Sequence, residues 1–295
     1  MSPNIAVIGH MYHPDLYAEI MDTLRRIPYW IDVYFAVPSN GCRRLLTDLC
    51  SDISTIKSVS IEVVPNRGRD IATKFVTFRD VYRDYDYVLL VHTKASIPEW
   101  RQWMLSSLAG TPQTVSTIIH AFERNPRLGV VAGEHYEPIT PWVHWSGNAK
   151  YAKPLADRMG ITLPRHVDFP SGSMFWARPA ALQPILDLNL TYDDLPPEPV
   201  PGDKTVLHAI ERLIYLSALR AGYGWTNIAI RDEVPSILAP CHWPTRHPVA
   251  DLITPMAEDE GVPASATLRC LAQIAIARAT AVLTGPAIYS AHRAG

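Results

Sequence analysis

Short runs of apolar and β-branched residues alternate with segments of helical periodicity through the first third of this chain. The strand-like runs are NIAVIGH (4–10), IDVYFAV (31–37), SIEVV (60–64) and DYVLLVH (86–92). Segments of helical pattern separate them, at 16–27, around CRRLLTDLC and at 70–82. Strands that are separated by helices pair in parallel, with helices packed on both faces of the sheet. The alternation predicts an α/β fold with a parallel or mixed sheet, in which the nearly all-apolar run 86–92 is a central strand.

The second half of the chain carries weaker patterns and ends in a change of composition. The predicted elements are a helix at 114–125, strands at 128–133 and 173–178, and a long helix at 204–224. Asp203 is the predicted N-cap of the long helix, and Gly222 lies near its end. Beyond about residue 235 the chain is first loop-like and then Ala-rich. We therefore predict one domain over 1–234 and a C-terminal helical extension over 235–295.

Composition and charge exclude several classes of protein. The net charge of −2 argues against a nucleic-acid binder that relies on a broad basic surface. No apolar run reaches the roughly 18 residues that a membrane-spanning helix needs. The chain begins without the basic and apolar segments of a secretory signal. The four cysteines are scattered and match neither a zinc site nor a disulfide framework, so we expect a cytoplasmic protein with reduced thiols.

The segment PNRGRD (65–70) follows the third strand-like run and precedes a helical pattern. Ligands of open α/β sheets bind outside the carboxyl ends of the strands. Arg67 and Arg69 offer planar guanidinium groups that suit phosphate oxygens, and Gly68 lets the backbone approach a ligand closely. A helix that begins near Asp70 adds a dipole that favours an anion. The alternative interpretation is a turn whose arginines pair with nearby Asp or Glu.

A second polar segment, His92-Thr93-Lys94, follows the fourth strand-like run. If the third and fourth strands are neighbours, this segment and PNRGRD face one crevice. Such a crevice would hold Arg67, Arg69 and Lys94, a set of cations that suits a diphosphate. The alternative is a solvated loop.

Four segments, in this order, resemble the rhamnan synthesis protein F family of bacterial polysaccharide glycosyltransferases: PNRGRDIA, YDYVLLVHTKAS, SGSMFWARP and HAIERL. The opening HMYHPDLYAEIMDTLRRIP resembles the start of that family, and the resemblance covers roughly residues 5–230. It implies a GT-A-like, Rossmann-type mixed sheet flanked by helices. It also implies transfer of a hexose or deoxyhexose, rhamnose-like or galactose-like, from a dTDP- or UDP-linked donor. The acceptor would be a lipid-linked glycan of a growing surface polysaccharide of the O-antigen, capsule or rhamnan type.

The resemblance also implies residues that bind the donor. In many enzymes of the GT-A fold an Asn-x-Gly segment after the third strand contacts the nucleotide, and Asn66-Arg67-Gly68 stands at that place. Tyr12 and His10 leave the first strand and would stack on or hydrogen-bond to the base, with loop packing as the alternative. Where such enzymes place a metal-binding Asp-x-Asp, this chain has His92-Thr93-Lys94. We therefore expect no metal cofactor, with Mg²⁺ or Mn²⁺ as the alternative.

The segment SGSMFWARP is expected to border the donor sugar and the acceptor, through Ser171, Gly172 and Ser173. Phe175 and Trp176 follow it in the strand, and since strand neighbours point to opposite faces we expect one of the two in the core. In the loop HWSGN, Trp145 (with Trp142) and Asn148 are candidates for an acceptor platform. Packing of that loop against the sheet is the alternative.

The catalytic base must be a carboxylate or a histidine that takes the proton of the acceptor hydroxyl. Glu211 and His208 lie three residues apart and therefore share one helix face. Glu211 is the preferred base because its spacing to Gly222 resembles that of the catalytic carboxylate in inverting GT-A enzymes, and Asp203 is the second choice. The alternative for Glu211 is a salt bridge with Arg212 or Arg178.

Two other functions remain open at this point. A non-catalytic glycan-binding module of a synthesis complex would keep the tryptophans but need no diphosphate clamp. A nucleotide-sugar or phosphate-ester hydrolase would usually need metal-binding carboxylates, which the crevice motifs lack. The Ala-rich helix at 267–284 has three candidate roles: packing on the domain, forming a homo-oligomer, or peripheral contact with the inner face of the cell membrane.

Overall fold

Residues 2–238 are described by a computed structural model of the chain. They contain eight strands in a single sheet. The strands are β1 (Ile5–His10), β2 (Ile31–Val37), β3 (Ile56–Val63), β4 (Tyr87–His92), β5 (Leu128–Gly133), β6 (Phe175–Ala177), β7 (Gly224–Arg231) and β8 (Val234–Ile237). Their order across the sheet is β3-β2-β1-β4-β6-β5-β7-β8. This architecture confirms the predicted α/β class with a mixed sheet.

The direction of the strands decides which loops meet. The pairs β1–β2, β1–β4, β2–β3 and β5–β7 are parallel. β6 is antiparallel to both β4 and β5, so β4 and β5 run in the same direction. The N-terminal end of β6, and the loop that precedes it, therefore lie at the edge of the sheet where β1, β4 and β5 end. The C-terminal ends, or exits, of the parallel strands and the N-terminal end of β6 thus lie at the same edge of the sheet.

Helices cover both faces of the sheet. They are α1 (Tyr17–Arg25), α2 (Asn40–Ser51), α3 (Arg69–Ala72), α4 (Pro98–Ala109), α5 (Pro112–Arg124), α6 (Ala149–Arg158), α7 (Pro179–Leu186) and α8 (Val206–Arg220). Because side chains alternate along a strand, Ala6 and Ile8 of β1 join one apolar cluster and Ile5 and Val7 join the other. All residues of β4 are buried, as expected for a central strand.

The single helix predicted over 70–82 is wrong. The segment is α3, then a π-helical turn at Thr73–Thr77, and later a 3-10 turn at Val81–Asp84. In the π turn the amide of Phe78 donates to the carbonyl of Thr73, which widens the helix. Turns of this kind are frequent at functional sites. Here the turn carries Lys74, whose side chain is buried.

Other elements differ from the sequence-based expectation. Thr205, and not Asp203, is the N-cap residue of α8. The strand predicted at 173–178 is shorter because Ser173 has a φ of 60°, which is incompatible with an extended strand. Phe175 and Trp176 point to opposite faces of the sheet as expected, but both are fully buried, one in each apolar cluster, because both faces of the sheet are covered.

The last described residues include the boundary that we predicted between the domain and its C-terminal extension. β8 spans the predicted boundary between residues 234 and 235 and pairs with β7. The helix predicted at 267–284 lies outside the described residues. Within 2–238 no helix has the length and hydrophobicity needed to cross a bilayer.

Candidate functional site

The exits of β1 and β4 lie side by side at the carboxyl edge of the sheet. His10 and His92, the last residues of these strands, are register partners. Asp70 reaches the same place, since its Oδ2 lies 3.7 Å from His92 Nδ1. We expected this meeting if β3 and β4 were neighbours, and that condition is not met, because β2 and β1 lie between them. Instead α3 and the π turn, which follow β3, cross the ends of β2 and β1. There the Thr73 hydroxyl lies 2.8 Å from Nδ1 of His10, the last residue of β1.

Lys74 joins two of the four motifs through its buried ammonium group. Its Nζ donates to Asp70 Oδ2 at 2.6 Å, to Ser173 Oγ at 2.7 Å and to the carbonyl oxygen of Ser173. Burial opposes the charge of Asp70, but the adjacent Lys74 ammonium outweighs it and holds the pKa of this carboxyl well below its usual range. Burial lowers the pKa of Lys74, and Asp70 offsets part of that effect. The result is a paired charge in the interior that the sequence analysis missed.

The two histidines at the strand exits are neutral. Burial lowers the pKa of His10 to about 4 and holds the pKa of His92 well below its usual range. Near neutral pH the charges around these strand ends therefore belong to lysines and carboxylates. Neither histidine is therefore a cation, and His10 acts as a hydrogen-bonding group through its contact with Thr73.

Lys94 is the cation that this edge leaves without an ionic partner. Its Nζ lies 4.2 Å from the ring centroid of Trp100, a cation–π contact. Among residues 2–238 no carboxylate forms an ion pair with it. Burial lowers its pKa, an effect that the charges of Glu211 and Asp70 oppose. A half-buried ammonium that forms no salt bridge is suited to an anionic ligand.

Glu211 faces the same edge from α8. Its Oε1 accepts the backbone N–H of Gly172 at 2.7 Å. The alternative for Glu211, a salt bridge with Arg212 or Arg178, is not formed, since Arg212 pairs with Asp203 and Arg178 donates to the carbonyl of Leu128. Burial raises the pKa of Glu211, while Arg212 and Lys94 act in the opposite direction. A carboxylate with a raised pKa is the kind of group that accepts a proton near neutral pH.

Gly172 makes this arrangement sterically possible. Its φ is +83°, and a Cβ at this position would lie 3.1 Å from Trp100 Cζ2 and closer still to Met104 Sδ. The backbone can bring its N–H to Glu211 only because no side chain is present.

Arg67 and Arg69 are engaged with the segment 193–200. Arg67 donates to the carbonyl of Leu195 at 2.7 Å and pairs with Asp193 at 3.2 Å. Arg69 pairs with Glu198 at 2.8 Å and donates to the carbonyl of Val200 at 2.6 Å. The structure thus shows the alternative interpretation for both, arginines that pair with nearby carboxylates.

The remaining donor candidates lie around the same turn. Gly68 has a φ of 77°, Asn66 is exposed beside it, and the ring of Tyr12 stacks on that of His10 at 5.9 Å. The Thr93 hydroxyl accepts the backbone N–H of Tyr12 at 2.9 Å. Thr93 therefore holds the loop that leaves β1.

Four other predicted residues stabilise the loop before α6 and the start of α8. Trp145 is 4% exposed and donates its indole N–H to the carbonyl of Pro164, so its ring is packed in the core and not available as a platform. Asn148 is fully buried and donates to Asp203 Oδ1 at 2.8 Å. His208 Nδ1 lies 2.8 Å from the Thr205 hydroxyl. Burial raises the pKa of Asp203, but its hydrogen bond with Asn148 and other nearby groups lower the pKa below the usual value. Asp203 is therefore less suited to be a base than Glu211.

Ser171 has partners that sequence analysis did not find. Its Oγ lies 2.9 Å from His135 Nδ1, and His135 Nε2 lies 2.9 Å from Asp168 Oδ1. His135 follows β5 in the chain, so its place at a strand exit was a signal that could have identified it. For Lys74 the signal was its spacing of four residues from Asp70 on a predicted helix.

The structure therefore brings one cluster together from all four motifs. It consists of Asp70, Lys74, His92, Lys94, Gly172, Ser173 and Glu211. Within residues 2–238 no group of three or more His, Cys, Asp or Glu side chains is arranged to hold a metal ion.

Comparison with known proteins places these motifs in a family. Residues 1–223 match the family model of rhamnan synthesis protein F, which confirms the resemblance seen in the sequence. The chain is 34% identical over 242 residues to the uncharacterized protein WxcX of two strains of Xanthomonas campestris pv. campestris, B100 among them. The alignments cover 77% of this chain and 33% of each relative, so the chain spans about a third of their length.

Proposed function

The chain belongs to the rhamnan synthesis protein F family, which connects it with polysaccharide synthesis, and we propose that it acts there as a glycosyltransferase. The proposed reaction moves a hexose or deoxyhexose from a dTDP- or UDP-linked donor to a hydroxyl of a glycan. The observation that carries this proposal is that Glu211 and Lys94 meet at one place: Glu211 accepts the N–H of Gly172, Gly172 packs against Trp100, and the Lys94 ammonium lies over the ring of that same tryptophan. Transfer from a diphosphate needs one group of each kind, a base and a positive charge.

In the proposed donor complex the diphosphate lies over the exits of β1 and β4. Lys94 neutralises it directly, while Arg67 and Arg69, already paired with Asp193 and Glu198, hold the adjacent turn in place. The nucleoside lies towards Asn66, which follows β3, and Tyr12, which follows β1. The GT-A-like strand arrangement supports this placement, because ligands of such sheets bind at the carboxyl ends of the strands.

In the proposed chemical step the acceptor hydroxyl transfers its proton to Glu211 as its oxygen bonds to the anomeric carbon of the donor. The bond between that carbon and the diphosphate oxygen breaks, and its electron pair stays on the diphosphate. Lys94 stabilises the charge that develops there. The amide of Gly172 holds Glu211 in position through the other carboxylate oxygen. A lipid-linked acceptor at the inner face of the cell membrane is part of this proposal.

Nucleoside diphosphates are the first test of this function. We expect dTDP or UDP to raise the melting temperature, since a ligand at a 100-fold excess over its Kd adds about 2.7 kcal/mol of stability. The corresponding monophosphates, which lack the β-phosphate, should give a smaller shift. Differential scanning fluorimetry with and without a chelator measures both. If no nucleoside diphosphate at millimolar concentration shifts the melting temperature, the glycosyltransferase proposal fails and the glycan-binding module becomes the better one.

The charge on Lys94 is the second test. We expect Lys94→Ala to reduce transfer about 100-fold, the order of effect seen when one group that stabilises developing charge is removed. Added Mg²⁺ or Mn²⁺ should not restore this activity, and EDTA should leave the unmodified protein active. Lys57→Ala, at an exposed lysine of β3 far from the strand exits, is the matched control. Silencing by EDTA with rescue by one divalent ion would instead show that a metal supplies the charge.

A further inference from the structure

A chain of three hydrogen-bonded side chains borders the proposed site on the side of β5. It runs from Asp168 through His135 to Ser171, with both side-chain hydrogen bonds 2.9 Å long. We propose that this chain is an acceptor subsite, in which Ser171 binds the sugar hydroxyl next to the one that Glu211 deprotonates. The acceptor would then be a sugar that presents two neighbouring free hydroxyls. This inference rests on the proposed function and identifies the chemistry of its acceptor.

The polarity of the chain follows from its carboxylate end. An ionised carboxylate can only accept hydrogen bonds, so His135 must carry its proton on Nε2, which faces Asp168. When the ring carries this one proton alone, Nδ1 is an acceptor, and the hydroxyl of Ser171 donates its proton to it. The Ser171 oxygen is left with lone pairs alone. Ser171 is therefore held as an acceptor, ready for a hydroxyl or N–H donor from a ligand.

Ser171, the proposed hydrogen-bond acceptor, is next in the chain to the residue that holds the proposed base. The next residue, Gly172, donates its backbone N–H to Glu211 Oε1, so one peptide unit separates the serine from the carboxylate. Two hydrogen-bond acceptors thus lie close together at the edge of the sheet. Neighbouring hydroxyls on one sugar ring provide two donors on adjacent carbons. Ser171 is itself only partly buried, and the Asp168 side chain at the other end of the chain of hydrogen bonds is 39% exposed.

The same residues do not form a nucleophilic triad. A serine nucleophile needs backbone N–H groups that are free to stabilise an oxyanion. Here the N–H of Gly172 is bonded to Glu211, and the N–H of Ser173 is bonded to the carbonyl of Pro170. The chain is built to hold a hydroxyl and not to attack a carbonyl.

Binding of simple sugars to the nucleotide-loaded protein tests the inference without relying on turnover. The probes are methyl α-L-rhamnoside, methyl β-D-galactoside and their analogues that each lack one hydroxyl, titrated by NMR in the presence of saturating UDP or dTDP. We expect one deoxy analogue of a bound glycoside to lose about tenfold in affinity, the effect of one hydrogen bond. The Ser171→Ala variant should bind the intact glycoside only as tightly as the unmodified protein binds that deoxy analogue. The affinity for the analogue should be the same in both proteins. Ser106→Ala, at a serine whose hydroxyl bonds within α4, is the matched control.

Nitrogen NMR of the His135 ring gives a second, independent measurement. The unmodified protein should show a proton on Nε2 and none on Nδ1, and Asp168→Asn should abolish that preference. Binding of no glycoside, a Ser171→Ala variant that still distinguishes intact from deoxy sugar, or a proton on Nδ1 would each overturn the inference. A failure of the proposed function looks different, because UDP and dTDP would then not bind at all. Ser171→Ala should leave their affinity unchanged.

Discussion

Replacing Glu211 with glutamine is expected to lower transfer by about 10²-fold or more while the affinity for dTDP or UDP stays nearly unchanged. Glutamine keeps the size of the side chain, and its carbonyl oxygen can still accept the N–H of Gly172. It cannot take a proton from the acceptor hydroxyl. Steady-state transfer rates together with thermal shifts by the nucleotide separate the loss of chemistry from any loss of binding.

The dependence on pH gives the same prediction a second readout. Burial raises the pKa of Glu211, and a base acts only when it is unprotonated. The rate should therefore fall as the pH drops through a pKa above the ordinary glutamate value of about 4.3. Asp203→Asn is the matched control, since Asp203 lies just before α8 and is bonded to Asn148. Near-normal turnover of Glu211→Gln would make Glu211 a structural residue and Asp203 the leading base.

Lys74→Met is expected to destabilise the protein by about 3–5 kcal/mol, the range found when one partner of a buried ion pair is removed. Methionine fills a similar volume but leaves the carboxylate of Asp70 without its counter-charge. The carbonyl and hydroxyl of Ser173 lose their donor as well. Urea denaturation measures the change in the free energy of unfolding.

The chain offers a control for this prediction in the pair Lys153 and Asp157. This pair has the same spacing of four residues and the same 2.6 Å separation, but its side chains are 63% and 56% exposed, against 0% for Lys74. Lys153→Met should cost less than about 1 kcal/mol, because water screens the pair. The double variant Asp70→Asn with Lys74→Met should lose less than the sum of the single losses. Equal losses for Lys74→Met and Lys153→Met would show that the buried pair has no special role.

The buried pair also has a predictable dependence on pH. The pKa of Asp70 lies well below its usual range in the folded protein. Its contribution to stability is therefore present above the unfolded pKa of about 3.9 and is lost as the pH falls below that value. Lys74→Met should show a smaller loss of stability over this acidic interval than the unmodified protein.

Local patterns in the sequence were enough to predict the fold class, which the structure confirms, and the edge of the sheet at which the candidate site lies. Alternation of strand-like and helical segments predicted the α/β sheet, because each pattern reports which face of a local element must be buried. The polar residues after the third and fourth strand-like runs predicted a site at the carboxyl edge, and the same four motifs identified the family. These inferences need only short stretches of chain.

The tertiary structure alone decided which charges remain available. Arg67 and Arg69 looked free in the sequence but meet carboxylates 126 and 129 residues away. Lys74 finds Ser173 across 99 residues, and His135 finds Ser171 across 36. These pairings depend on the order of the strands, in which β6 lies between β4 and β5 and delivers its entry loop to their exits. Local periodicity contains no information about that order, because it is set by packing between elements that are distant in the chain.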